Sequence, residues 1–105
     1  MENRFVVWYT YILHCDKKSY YVGLSGNLEK RLISHKSKRN IGTKEFHEIE
    51  LVYHETYPAR KQAEARETQL KKWSRAKKKA LIEGNLTLLR KLSHNPKLIE
   101  EKSGE

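Results

Sequence analysis

Apolar and aromatic residues fill both faces of the stretch from Val6 to Cys15, the pattern of a central strand covered on both sides. Asp16-Lys17-Lys18-Ser19 reads as a turn and Tyr20 to Leu24 as the returning strand of a hairpin, so these two strands are antiparallel. Gly23, Ser25, Gly26 and Asn27 end the second strand and offer a helix N-cap. Leu28, Leu32 and His35 then recur at one-turn spacing, predicting a helix from about Asn27 to Lys38. Arg39 to Lys44 is charged, contains Gly42 and reads as a mobile surface loop. From there Ile49, Leu51, Tyr53 and Tyr57 alternate with Glu50, Val52, His54 and Thr56, the period of a half-buried third strand. Pro58 suits the first turn of a helix running to about Trp73, and a second helical stretch, Arg75 to Leu92, is interrupted around Gly84-Asn85. The order β-β-α-β-α-α predicts an α+β fold, a three-stranded antiparallel sheet flanked by helices in two or three layers.

The chain's 105 residues suit one domain, read as 1–92, with 93–105 as a flexible C-terminal tail in which polar residues and Pro96 break the pattern; Met1 to Arg4 also looks loose. Lys and Arg number 22 against 13 Asp and Glu, a formal charge of +9, which makes polyanions the natural partners. The apolar run Phe5 to Leu13 is too short to span a bilayer and lacks a cleavage site, so a membrane role is excluded and a cytoplasmic location expected. The lone Cys15 allows neither an internal disulfide nor a cysteine zinc site, and is read as a small buried hydrophobe. Nothing points to a protein partner.

Three features carry candidate chemistry. Tyr11 and Tyr21, one on each hairpin strand, can be cross-strand neighbours, and their face also takes Tyr9 and Gly23, where something can approach the backbone closely. Aromatics favour strands anyway, so ordinary strand tyrosines would look the same. Arg31 and His35, four apart, share a helix face and could converge on a phosphate, although a solvated surface pair has the same spacing. On the helix after Pro58, Ala59, Ala63, Leu70 and Trp73 form an apolar stripe that includes Arg66, with Glu67 at its edge and Glu64 on the solvent side. A carboxylate turned toward a sheet needs a cation, a metal or hydrogen bonds, and a neighbouring Arg is one way to meet that need. Beyond it, Lys71, Lys72, Arg75, Lys77, Lys78 and Lys79 make a basic run suited to a nucleic-acid backbone.

Together, from Trp8 to Leu81, these residues resemble the GIY-YIG nuclease superfamily, especially its small single-domain bacterial members. Tyr9-Thr10-Tyr11 stands for the first signature and Tyr21-Val22-Gly23 for the second. Leu28, Arg31 and His35 match the helix motif, and Glu64-Ala65-Arg66-Glu67 with Leu70-Lys71-Lys72-Trp73 the acidic helix. The departures are Tyr9 for the opening glycine, Leu24 for a basic residue, His35 for a tyrosine and no Asn after Trp73. The resemblance implies a metal-dependent endonuclease that hydrolyses DNA phosphodiester bonds in repair or processing, with Mg²⁺ or Mn²⁺ held by Glu67. It implies that Tyr11 or Tyr21 deprotonates the attacking water and that Arg31 stabilises phosphoryl charge. His35 is left with two roles, relaying a proton or binding phosphate, and RNA is left open as a second substrate. The rival expectation is a weak or inactive nucleic-acid-binding module on the same fold.

Overall fold

The computed structural model describes residues 7–37, 42, 43 and 45–93. Met1 to Arg4, the tail beyond Ser93, and Arg39, Asn40, Ile41 and Lys44 of the expected loop lie outside the described residues. The elements are β1 (Trp8–Cys15), β2 (Ser19–Ser25), α1 (Leu28–Lys36), β3 (Ile49–Tyr57), α2 (Arg60–Lys71), α3 (Arg75–Glu83) and α4 (Leu86–Ser93). This is the expected α+β fold with its three-stranded antiparallel sheet, and strand order β2-β1-β3 puts β1 at the centre.

Local chemistry explains most of the boundaries. Asp16 and Lys17 both take positive φ, at 52° and 55°, and Lys18 N–H donates to the Cys15 carbonyl at 3.0 Å, a tight turn in which Asp16, Lys17 and Lys18 lie between the paired Cys15 and Ser19. The Asp16 carboxylate also accepts from the His47 and Glu48 amides at 2.9 and 2.7 Å, tying the turn to the entry of β3. Asn27 caps α1, its side chain accepting from Lys30 N–H at 3.0 Å. Pro58 lies two residues ahead of α2 rather than in its first turn, and the helix stops at Lys71, so neither Ala59 nor Trp73 belongs to its apolar stripe.

The strand alternation expected over Ile49 to Tyr57 is broken. Tyr53 pairs with Ile12 but Leu51 with Leu13, so Val52 is an extra, bulged residue. A bulge shifts the side-chain period by one. Ile49 and Leu51 therefore face one side of the sheet, with Tyr11, Leu13 and Cys15, while Tyr53, Glu55 and Tyr57 face the other, with Thr10 and Ile12.

Each face has its own helix. Leu28 and Leu32 of α1, with Phe46, pack on the Tyr11, Leu13, Cys15 and Ile49 side. Helix α2 covers the opposite side through buried Ala63 and Leu70, and the buried Thr10 hydroxyl donates to the Ala63 carbonyl at 2.8 Å. Burial raises the Cys15 thiol, with the Asp16 charge adding to it, as a small core residue requires.

The described residues divide into two compact units between Lys72 and Trp73. In the second, Ser74 caps α3 and Gly84, at φ +70°, turns the chain into α4. Lys77 lies over the Trp73 ring at 4.3 Å. Among the described residues no helix is long and apolar enough to cross a membrane.

Candidate functional site

The first unit gathers Tyr11, Tyr21, Arg31 and His35 on the α1 face of the sheet, while Glu67, on the helix over the opposite face, acts on the Tyr11 phenol through charge alone. Tyr11 faces Gly23 across the hairpin, and its ring lies over that glycine so closely that a β-carbon there would collide with Cζ and the hydroxyl. This is the close approach that a glycine at position 23 permits. The Tyr11 hydroxyl meets His35 Nε2 at 2.9 Å, and His35 Nδ1 meets Thr43 Oγ1 at 2.7 Å. Tyr11, His35 and Thr43 are all buried. Tyr21 pairs with Leu13 rather than with Tyr11, so the two tyrosines are diagonal on one face. The Tyr21 ring stands edge-on to His35 at 5.1 Å between centroids.

Arg31 stays exposed, yet its charge acts on the Tyr11 phenol. It also lines an open groove of about 520 Å³ with Ser25, Asn27, Lys30, Ile33 and Ser34. Glu67 sits one helical turn after Ala63, whose carbonyl accepts from Thr10 on the face opposite Tyr11, and its charge is the smallest of the named influences on the Tyr11 phenol. Its ion pair is with exposed Lys71 at 3.2 Å. The arginine in the stripe, Arg66, instead pairs with Glu55 of β3 at 2.9 Å, and Glu55 also accepts from the hydroxyls of Tyr53 and Tyr57.

Electrostatics set the resting state of these groups. Burial pushes the Tyr11 phenol up to about 12; Arg31 pulls it back, while Tyr21 and Glu67 add to the rise. Burial, seconded by the Arg31 charge, holds the His35 imidazole below its ordinary value. Near neutral pH a protonated phenol thus faces a neutral imidazole. Both ring nitrogens of His35 are engaged inside the protein, which leaves neither for a phosphate in this conformation.

Among the described residues, no three His, Cys, Asp or Glu side chains group to hold a metal. That donor set does not suit zinc, which takes three or four protein ligands. A lone carboxylate is the kind of donor that divalent cations such as Mg²⁺ use, since they keep waters and take substrate phosphate oxygens. The basic run spreads over both units: Lys71 and Lys72 close the first, and Arg75, Lys77, Lys78 and Lys79 lie on α3. Arg75 and Lys79 are exposed, whereas Lys77 and Lys78 are half-buried and burial lowers the Lys78 amine.

Pattern reading missed Thr43 and Glu55. Thr43 lies in a segment without periodicity, but an arginine inside an apolar stripe calls for a carboxylate on the facing sheet, and Glu55 answers to that signal. Gly23→Ala is expected to displace the Tyr11 ring, destabilising the fold by about 1–3 kcal/mol as overpacking does. NMR of the variant should show Tyr11 moved away from His35; an undisturbed Tyr11–His35 hydrogen bond at full stability would mean that Gly23 sets nothing.

The family model described as the GIY-YIG catalytic domain matches residues 7–80. A UPF0213 protein of Bacillus pumilus is 37% identical over 76 residues, covering 71% of this chain and 78% of that one. A UPF0213 protein of Syntrophus aciditrophicus is 40% identical over 79 residues, covering 73% and 91%. The solution structure of a UPF0213 protein from Bacillus halodurans is similar at a TM-score of 0.49 and 29% identity, covering 73% of this chain and 83% of that one.

Proposed function

The chain belongs to the GIY-YIG catalytic-domain family, a family of nucleases, and from that premise we propose that it is a metal-dependent endonuclease hydrolysing DNA phosphodiester bonds, structure-selective or weakly specific, in DNA repair or processing. The observation that carries the reading is the buried Tyr11–His35 hydrogen bond, with the Arg31 guanidinium and the Glu67 carboxylate both acting on the same phenol. The match to residues 7–80 runs across the division between the two units, which supports reading 1–92 as one nuclease domain.

In this mechanism the Tyr11 oxygen receives the proton of the attacking water as its own proton passes to His35 Nε2. A phenol raised to about 12 stays protonated at neutral pH, so the Arg31 charge must offset negative charge on the Tyr11 oxygen as the proton moves. The exposed part of Arg31 faces the groove and holds the phosphoryl oxygens of the substrate. Tyr21, edge-on to His35, keeps the imidazole in place. Glu67 would hold a divalent cation, which would supply charge neutralisation at the phosphate and the leaving oxygen.

Tyr11→Phe tests the reading because it removes one oxygen from the buried network. The variant is expected to bind a labelled duplex as wild type does and to cleave it at least about 100-fold more slowly, the scale of a lost general base. Cleavage at the wild-type rate would remove Tyr11 from the chemistry. Binding without cleavage by the wild type in Mg²⁺ or Mn²⁺ would support an inactive module instead.

For the basic run, replacing Lys77, Lys78 and Lys79 by Gln is expected to flatten the salt dependence of DNA binding. Each phosphate no longer neutralised removes a slope of about 0.9 for duplex DNA. An unchanged slope in a titration of salt against affinity would turn this face of α3 away from the nucleic acid.

A further inference from the structure

The proton path requires more than a histidine beside a tyrosine, since a neutral imidazole carries its hydrogen on either nitrogen and just one arrangement accepts from the phenol. Three observations bear on which nitrogen that is. Tyr11 is 1% exposed, so its hydroxyl hydrogen needs an acceptor inside the protein. Arg31 offers the phenol donors alone, and Glu67 acts on it through charge, whereas His35 Nε2 stands 2.9 Å from the hydroxyl oxygen. On the opposite side of the ring, Thr43 Oγ1 stands 2.7 Å from Nδ1 with no exposure of either residue.

We infer that Thr43 is the positioning residue of this site: its hydroxyl oxygen accepts from His35 Nδ1–H, fixes that tautomer, and so keeps the Nε2 lone pair directed at the Tyr11 hydroxyl. The inference deepens the proposed function, since it rests on Tyr11 as the group that hands a proton to His35. Its logic is that of any histidine whose far nitrogen is held by an oxygen, where the remote bond sets both the tautomer and the orientation of the ring. Gly42, next to Thr43, also lies beside the site. Gly42 lies against the Tyr21 ring, where a β-carbon would come within 2.7 Å of Cε2, so Gly42 and Thr43 pack on Tyr21 and His35 together. Around the imidazole stand Tyr11 from β1, Tyr21 from β2, Arg31 from its own helix and Thr43 from the loop. Within this group Thr43 is the partner of Nδ1.

Without the Thr43 oxygen, Nδ1–H would be buried with no acceptor, a costly state that the ring avoids by moving its hydrogen to Nε2. There it would donate to Tyr11 and could no longer take the Tyr11 proton. Thr43→Val removes the oxygen at nearly constant shape, and Thr43→Ser restores it. The direct readout is the long-range ¹H–¹⁵N correlation spectrum of His35 in the whole protein at neutral pH. Wild type and Thr43→Ser are expected to show hydrogen on Nδ1 and an acceptor pattern at Nε2, and Thr43→Val to show the reverse. In a cleavage assay Thr43→Val should lower kcat in the range of about 10- to 100-fold at unchanged KM, the cost of losing a group that orients a histidine, with Thr43→Ser close to wild type.

Hydrogen on Nε2 in the wild type overturns the inference whether or not the valine variant folds, and so does an unchanged tautomer in a folded Thr43→Val. The spectrum needs no cleavage. A wild type that carries the hydrogen on Nδ1 but cuts no DNA would count against the nuclease reading and in favour of this one.

Discussion

Glu67→Gln is expected to cut Mg²⁺-dependent cleavage by at least about 100-fold while leaving stability within about 0.5 kcal/mol of wild type. The two halves of this result have separate causes. Gln keeps the volume and loses the charge, and an amide is a far poorer ligand for a hard cation than a carboxylate. Stability should hardly move because the ion pair Glu67 gives up is with Lys71, a one-turn helix pair whose lysine side chain is 56% exposed. Glu64 serves as the control on the same helix, since it pairs at the surface with Arg60. Glu64→Gln should change neither property. Thermal melts in metal-free buffer and plasmid nicking, run on both variants, would separate the roles. A Glu67→Gln protein that unfolds without metal would make Glu67 a structural partner and remove it from the proposed chemistry.

The opposite outcome is expected at Glu55, where stability should fall. Its carboxylate receives the Arg66 guanidinium at 2.9 and 3.1 Å and the Tyr53 and Tyr57 hydroxyls, so Glu55→Ala strands three donors between α2 and the sheet. Losing one member of a buried pair costs about 3–5 kcal/mol; this pair is partly exposed, so about 2–4 kcal/mol is expected in denaturant unfolding at pH 7. Arg66 precedes Glu67, and loosening it should also reduce cleavage.

The pH dependence follows from the same contacts. Burial alone would raise the Glu55 carboxyl, but hydrogen bonds from Arg66, Tyr53 and Tyr57 outweigh burial and hold it below its ordinary 4.5. A folded-state value below the unfolded one means that the wild-type advantage is complete above pH 4.5. It shrinks as pH falls through the lower, folded value. A gap between wild type and Glu55→Ala that persists unchanged to pH 2 would contradict this assignment.

Much of the architecture was legible because its causes are local. The turn at Asp16-Lys17, the Asn27 cap and the limits of β3 each follow from residues within a few positions of one another. Tyr11 and Gly23 share a hairpin face, and Arg31 and His35 lie one helical turn apart on α1, as strand and helix period lead one to expect. What alternation could not provide was the bulge at Val52, since an extra residue in one strand is defined by its partner strand, and the partner is chosen in three dimensions. Tyr53 and Tyr57 were assigned to the wrong face for that reason. The end of α2 at Lys71 was also hidden, because Trp73 continues the apolar spacing although the backbone has left the helix. Thr43 became visible only through its bond to His35, 8 residues away along the chain.

Relaxation of a supercoiled plasmid by the wild-type protein, with DNA binding followed by gel shift in the same buffers, separates hydrolysis from binding alone. Nicked circles are expected in Mg²⁺ or Mn²⁺ and none in chelator, with binding retained in both. Tight binding with no nicking in either metal from pH 6 to pH 10 would contradict the proposed function, leaving the Tyr11, His35, Arg31 and Glu67 constellation as a binding surface without hydrolytic chemistry.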